Sequence, residues 1–206
     1  MKRTHRWTVF LIAAVGLMGL AGCGGEGDES SIGSSRGERF VIVSGGQTGV
    51  YYPTAGAVAK LARGQGMQME VQSSGGSVAN ARLLASGNAD FAIMQNDIAA
   101  YARGGELMFD KPLESLVGVA ALYPEHVQVV ARADAGIESI GDLAGKRVAI
   151  GAIGSGTEAN ALQVLAAYGL DEGDLAKVER LKAGESRDYL QDGRVDAAFF
   201  TFGVGT

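Results

Sequence analysis

The sequence predicts an α/β fold of two lobes with mainly parallel sheets. From residue 40 onward, apolar strand-like runs alternate with helix-like runs, the pattern of parallel strands joined by crossover helices. Glycine-rich segments join several of these runs, and the chain has 32 glycines in 206 residues. Near residue 123, two strand-like runs are joined without a helix, which indicates that the chain passes there from one sheet to another.

The predicted elements follow from apolar periodicity and from the residues that begin and end helices. Strands are predicted at residues 40–44, 67–73, 90–95, 116–122, 126–132, 146–151, 178–181 and 195–200. Helices are predicted at residues 54–63, 78–86, 96–103, 139–143, 158–168 and 185–191. Pro53 is expected at the first position of the first helix, where its missing N–H costs nothing.

Lobe 1 is predicted to span residues 39–122 and lobe 2 residues 123–206, with a hinge near Tyr123-Pro124. The sequence ends just past a buried-looking strand, at a point where a loop and another helix would follow in this pattern. We therefore expect that lobe 2 is incomplete in this chain, which lacks the return of the second lobe to the first.

Residues 1–23 have the pattern of a bacterial lipoprotein signal peptide. A basic start with Lys2, Arg3 and Arg6 precedes an apolar run at residues 7–20, which is too short to span a bilayer comfortably. The run ends at Cys23, in a motif that resembles a lipobox; this resemblance implies cleavage before Cys23 and a lipid on its sulfur. The alternative is an ordinary signal peptide or anchor with an incidental cysteine. Residues 24–38, rich in Gly, Ser and acids, are predicted to be a flexible tether.

The charge balance excludes nucleic acid as an expected partner. The sequence pI is about 5.1, and no basic stripe gathers after the signal peptide. Cleavage would remove three of the 18 basic residues and leave 15 against 23 acidic ones, a net charge of −8. We therefore expect an extracytoplasmic protein, in the periplasm or at the cell surface, that the lipid anchors to a membrane.

Three glycine-rich loops follow predicted strands and precede predicted helices. Each directs backbone N–H groups and the positive end of a helix dipole toward one place, and none contains Lys or Arg. We expect them to form one cleft that holds a small anion. Their candidate binding residues are Gly46, Thr48, Tyr51, Tyr52, Ser74, Gly76, Ser77, Ser155, Gly156 and Thr157.

Further candidates lie at strand ends and near the hinge: Gln95, Asp97, Tyr123, Glu125, His126 and Phe200. Each has a structural alternative: aromatic rings can pack between lobes, Asp97 can stabilise a helix start, and His126 can make a hinge hydrogen bond. If Asp97 or Glu125 faces the cleft, a ligand ammonium group is favoured, which would select an amino acid over a plain dicarboxylate. Ser155 and Glu158 also have the spacing of a capping box, which is compatible with binding.

Seven short motifs follow one another in a specific order and spacing. They lie at Gly45 to Pro53, Ser74 to Asn80, Ala89 to Asp97, Leu122 to Val127, Asp142 to Val148, Gly154 to Glu158 and Asp196 to Phe199. In these residues the chain resembles the TAXI-type solute-binding proteins of tripartite ATP-independent periplasmic (TRAP) transporters, although members of that family are longer.

The resemblance implies a type II periplasmic-binding-protein fold, with a ligand held between two lobes that close on it. It also implies a ligand such as glutamate, glutamine or 2-oxoglutarate, and delivery to a TRAP membrane permease driven by an ion gradient. The alternative functions are the binding lipoprotein of an ATP-driven (ABC) importer and a ligand-presenting partner of a membrane sensor.

Catalysis is not expected from this sequence. The only Gly-x-Ser-x-Gly match, at residues 33–37, lies in the predicted tether without the strand and helix that a nucleophile elbow needs. The Gly-rich segment at 151–156 does not have the dinucleotide-binding spacing, and no phosphate-loop motif or metal-ligand cluster is present in the sequence. We therefore expect no cofactor, no metal and no catalytic residue.

Overall fold

The computed structural model describes residues 39–203, and this part of the chain forms two sheets. The first consists of β1 (Arg39–Val43), β2 (Gln68–Gln72) and β3 (Phe91–Ala92), all parallel in the order β2-β1-β3. Helices α1 (Tyr51–Gly64) and α2 (Ser77–Ala85) connect these strands, and α3 (Asn96–Gly104) follows β3.

The second sheet consists of β4 (His126–Ala131), β5 (Arg147–Ala149), β6 (Lys177–Glu179) and β7 (Ala197–Phe202), in the order β4-β7-β5-β6. Its strands are parallel except β4, which pairs antiparallel with β7 from His126 opposite Phe202 to Ala131 opposite Ala197. Helices α4 (Gly156–Ala167) and α5 (Ala183–Gln191) are its crossover connections. The prediction of an α/β fold with mainly parallel sheets is confirmed.

Each sheet buries its own apolar core against its helices. In the first sheet, Ile42 of β1 and Met69 of β2 pack with Ala55 and Ala59 of α1. In the second sheet, one core cluster includes Phe199 of β7, which is 1% exposed. Strands that are covered by helices on the faces of a parallel sheet are apolar over most of their length, which explains why most of them were visible as continuous apolar runs.

One predicted strand is wrong. Residues 116–122 form no strand, and Val117 and Val119 are 80% and 83% exposed. An extended segment becomes a strand only when a neighbour accepts and donates its ladder hydrogen bonds, and no described strand pairs with this one. β3 is also shorter than predicted, since only Phe91 and Ala92 pair with β1.

The first helix begins earlier than predicted. It starts at Tyr51, so Pro53 is its third residue rather than its first. A proline is tolerated anywhere in the first turn, because the N–H groups of that turn have no acceptor within the helix.

The predicted signal peptide, Cys23 and the predicted tether lie outside the described residues. Within residues 39–203, no helix is long and apolar enough to cross a bilayer. The same residues contain no group of three or more His, Cys, Asp or Glu side chains placed to hold a metal ion.

Candidate ligand cavity

A cavity of about 110 Å³ lies where loops from both sheets meet. Its walls come from the segments that follow β1, β2, β5 and β6, and from the end of β7. These segments leave the carboxyl ends of parallel strands, which is the edge where open α/β sheets bind ligands. The cavity is small, matching a solute of few atoms rather than a large cofactor.

Half of the predicted binding residues line this cavity. They are Gly46, Thr48, Tyr51, Gly76, Glu125, Ser155, Thr157 and Phe200. The other eight are not among its lining residues: Tyr52, Ser74, Ser77, Gln95, Asp97, Tyr123, His126 and Gly156. Residues of all three glycine-rich loops therefore line the same cavity.

Two of these loops are in van der Waals contact through their glycines. A Cβ atom on Gly75 would lie 2.6 Å from the carbonyl oxygen of Ile153, and one on Gly76 would lie 3.2 Å from the Cα of Ser155. Gly76 also has a φ of +119°, which side chains rarely adopt. The backbone N–H of Ala79 donates to the carbonyl of Gly154 at 3.0 Å. The glycines are thus required for the approach of the two loops.

The start of α4 leaves backbone donors at or beside the cavity. Ser155 Oγ accepts from the N–H of Glu158 at 3.0 Å, which is the first half of the predicted capping box. The second half does not form, because the Glu158 carboxylate accepts from the N–H of Gly154 and pairs with Arg180. No described residue accepts from the N–H groups of Gly156 and Thr157, which as first-turn donors have no acceptor within the helix.

Glu125 enters the cavity from the segment that joins the two sheets. Its Oε2 accepts a hydrogen bond from the hydroxyl of Tyr51 at 2.7 Å, and that hydroxyl lies 3.4 Å from Ser77 Oγ. Burial raises the pKa of Glu125; the hydrogen bond from Tyr51 lowers it, and the charge of Asp97 raises it further. Burial and Glu125 likewise raise the pKa of Tyr51 far above its usual value. Burial and the charge of Glu125 also raise the pKa of Tyr123, to about 12.

Gln95 and Asp97 belong to a buried polar chain beside the cavity. Gln95 Nε2 donates to Asn160 Oδ1 at 2.6 Å, and Asn160 Nδ2 donates to Asp97 Oδ2 at 2.7 Å. Thr201 Oγ1 donates to the same Asn160 oxygen at 3.2 Å, while Ser77 Oγ accepts from the N–H of Gln95 at 3.1 Å. These bonds join the segment after β3 to α4 and β7.

The other candidates outside the cavity have local contacts. Ser74 Oγ donates to the carbonyl of Ser44 at 2.9 Å and accepts from the N–H of Gly76, so it ties its loop to the segment after β1. His126 is exposed on β4, and Tyr52 lies in the first turn of α1.

The two adjacent phenylalanines of β7 face opposite sides of the sheet. Phe199 lies in the core with Leu143, whereas Phe200 packs against Leu181 and Ala183, and both are among the residues that line the cavity. Both side chains are buried.

The structure adds a cationic side chain that the sequence analysis missed. Lys182, the residue before α5, lines the cavity, and its Cδ lies 3.3 Å from the position of a Cβ on Gly46. The three predicted loops contain no Lys or Arg, but a fourth segment, which was not predicted to contribute, brings Lys182 to the cavity. The signal was present in the sequence, since Lys182 and Gly184 stand between a predicted strand and a predicted helix, as the other loops do. Thr201 and Phe202 of β7 also line the cavity and were not predicted.

A larger open space of about 480 Å³ lies on the other side of the loop at residues 48–50. It is lined by Gln128 and Val130 of β4 and by Arg187 and Leu190 of α5, among others. The loops after β2 and β5 do not reach it. The smaller cavity, to which strand ends of both sheets contribute, is therefore the candidate site.

Comparison with known families gives a match over most of the chain. Residues 42–206 match the model of the NMT1-like family. The chain belongs to the NMT1-like family.

Solved structures of known proteins share the fold of this NMT1-like chain. The alkanesulfonate-binding protein SsuA from Xanthomonas axonopodis pv. citri, bound to MOPS, is 20% identical with a TM-score of 0.50, over 78% of this chain and 53% of that chain. A variant of arginine-bound ArgBP from T. maritima is 16% identical with a TM-score of 0.53, over 79% of this chain and 73% of that chain.

These likenesses show that the NMT1-like chain has a type II periplasmic-binding-protein fold, as the sequence predicted. It spans about half the length of SsuA, with 53% of that chain covered.

Proposed function

We propose that this chain is an extracytoplasmic solute-binding receptor that captures a small carboxylate or amino acid, of the glutamate, glutamine or 2-oxoglutarate kind. The observation that carries the proposal is the cavity itself, which loops at the carboxyl ends of strands from both sheets enclose. The lobes are residues 39–122 and 123–206, hinged near Tyr123-Pro124. The names of two proteins with the same fold, alkanesulfonate-binding SsuA and arginine-bound ArgBP, support a small charged solute.

Binding a carboxylate here requires more than helix dipoles. One helix N-terminus contributes about 0.3–1 kcal/mol, and up to about 2 kcal/mol when partly buried. Micromolar affinity corresponds to about 8 kcal/mol. The N–H group and hydroxyl of Thr157 and the ammonium of Lys182 supply direct contacts, and closure of the lobes removes water and strengthens each of them.

Loops of the two sheets are in contact around the cavity, so a ligand bound there would touch both lobes. Gly75, Gly76 and the 153–156 loop touch directly, and the Tyr51–Glu125 hydrogen bond ties α1 to the connecting segment. A solute in the cavity would touch both sets of loops at once. Its binding energy therefore favours the closed arrangement over any open one.

The partner in this proposal is a TRAP-type membrane permease, on the strength of the seven motifs shared with TAXI-type proteins. A lipid on Cys23 would keep the receptor at the membrane beside that permease. The ABC importer is the second candidate, and uptake assays with each class of permease distinguish the two. A mass increase on Cys23 that matches a diacylglycerol group, lost in Cys23→Ser, tests the anchor.

The first test is a thermal-shift screen of the full chain against amino acids and dicarboxylates. A ligand at 100 times its Kd adds about 2.7 kcal/mol to the free energy of unfolding, which corresponds to a rise in Tm of about 5–10 °C for a domain of this size. Thr157→Val, which removes a cavity hydroxyl, should reduce the shift. Ser86→Ala is the control, because the Ser86 hydroxyl donates to the carbonyl of Leu83 at the end of α2 and Ser86 does not line the cavity. A folded protein with no shift for any small acid would overturn the proposal.

A further inference from the structure

Two opposite charges share the cavity without neutralising each other. Glu125 and Lys182 both line it. Among the ion pairs of the described residues, none shorter than 4.0 Å includes either side chain. The hydrogen-bond partner of the Glu125 carboxylate is the neutral hydroxyl of Tyr51.

The two charges lie on different parts of the cavity wall. Glu125 is half-buried and lies beside Tyr51 and Ser77, at the first residues of α1 and α2. Lys182 is exposed at the start of α5, with its aliphatic part against Gly46. The cavity therefore has a negative inner part and a positive part near solvent.

We propose that the cavity selects a zwitterionic solute, whose ammonium group lies against Glu125 while its acid group lies between Lys182 and the start of α4. This inference rests on the proposed function, and it narrows the ligand class. A partly buried charge without a counter-charge is costly, and a ligand that carries both charges compensates the acid and the base together.

The same arrangement discriminates against plain dicarboxylates. A second carboxylate placed in the inner part would face Glu125, and like charges at a few ångströms repel strongly where water is excluded. Asp97 adds to this negative field, because its charge acts on Glu125 in the same direction as burial does. Asp97 itself is held by Asn160 and by the N–H of Ile98, so it is not placed to contact the solute.

The test compares pairs of solutes that differ only in the ammonium group. Isothermal titration calorimetry on the full chain would use L-glutamate against glutarate and, for a sulfonate acid group, taurine against ethanesulfonate. In the pair that binds better, we expect the Kd of the zwitterion to be at least tenfold lower than the Kd of the solute without the ammonium group. A tenfold ratio of Kd corresponds to about 1.4 kcal/mol of binding free energy. Glu125→Gln, which keeps an acceptor for Tyr51, should remove that preference.

Lys182→Gln should weaken both members of the pair about tenfold and leave their ratio unchanged. Lys60→Gln, on the exposed side of α1, is the matched control and should change neither Kd. Equal Kd values for the two members of each pair in the unaltered protein, or an unchanged ratio in Glu125→Gln, would refute the zwitterion proposal and leave the receptor proposal in place. Binding of none of the four solutes, nor of any other small acid, would refute both.

Discussion

Asn160 is the centre of the polar contacts between the two sheets, and its replacement by alanine should be among the most damaging single changes. Its side chain is 7% exposed and makes three hydrogen bonds, to Gln95, Asp97 and Thr201. Gln95 and Asp97 follow the first sheet, whereas Asn160 and Thr201 belong to the second. Asn160→Ala would leave a buried amide, a hydroxyl and a carboxylate without this partner.

The magnitude follows from these three bonds. The two neutral bonds contribute about 1 kcal/mol each and the bond to the carboxylate about 1.5–3 kcal/mol. Alanine regains roughly 0.5 kcal/mol of helix propensity in α4. The net loss is therefore about 3–4.5 kcal/mol, a large part of the 5–15 kcal/mol that is usual for a whole domain.

Urea unfolding followed by circular dichroism would measure this loss. The control is Gln163→Ala on the same helix, whose half-buried side chain bonds to Tyr101 and to the carbonyl of Ala159. By the same accounting, with two neutral bonds lost and some helix propensity regained, we expect the control to lose about 1.5 kcal/mol. If Asn160→Ala lost no more than Gln163→Ala, the polar chain would not stabilise the joined arrangement of the sheets, and the reasoning would be refuted.

Three further predictions concern the loops, one ion pair and the core. Gly76→Ala should lower the free energy of unfolding by about 1–3 kcal/mol, because of its φ of +119° and its contact with the facing loop. Gly56→Ala, on an open helix surface, should raise the free energy of unfolding by about 0.5–1 kcal/mol. Equal changes of Tm for the two variants in thermal unfolding would contradict this prediction. The Arg147 guanidinium lowers the pKa of Asp196, so the pair stabilises the fold above the unfolded pKa of about 4 and loses that effect as the pH falls through the lowered pKa. Asp196→Asn should therefore cost up to about 1 kcal/mol at pH 7 and nothing in strong acid, and a pH-independent difference in urea midpoints would contradict this. Phe199→Ala should cost about 3–5 kcal/mol by calorimetry, and a loss below 1 kcal/mol would show that the core around it is not packed.

Local sequence patterns were sufficient for the order of elements and for the loops that meet. Seven of the eight predicted strands exist, and all six predicted helices exist, one of them as a 3-10 turn at Ile140–Leu143. The exception, residues 116–122, has the apolar composition of a strand but no partner. Composition records the tendency of a segment to be extended, whereas a strand requires a neighbour that lies elsewhere in the chain.

The glycine-rich loops could also be predicted from the sequence, because a turn that leads from a strand into a helix has a local sequence pattern. Three of the four loops that line the cavity were identified in this way. The loop with Lys182 was missed because it contains a single glycine, Gly184, whereas each of the other three loops contains at least two.

The sequence by itself determined a succession of strands, glycine turns and helices, because those depend on residues within a few positions of one another. Only the tertiary structure decided which side chains meet. Tyr51 forms a hydrogen bond with Glu125, which is 74 positions away, and Gln95 forms one with Asn160, which is 65 positions away. The side chain of Lys182 packs against Gly46. Such contacts depend on how two separately built sheets pack against each other, and no periodicity along the chain records that geometry.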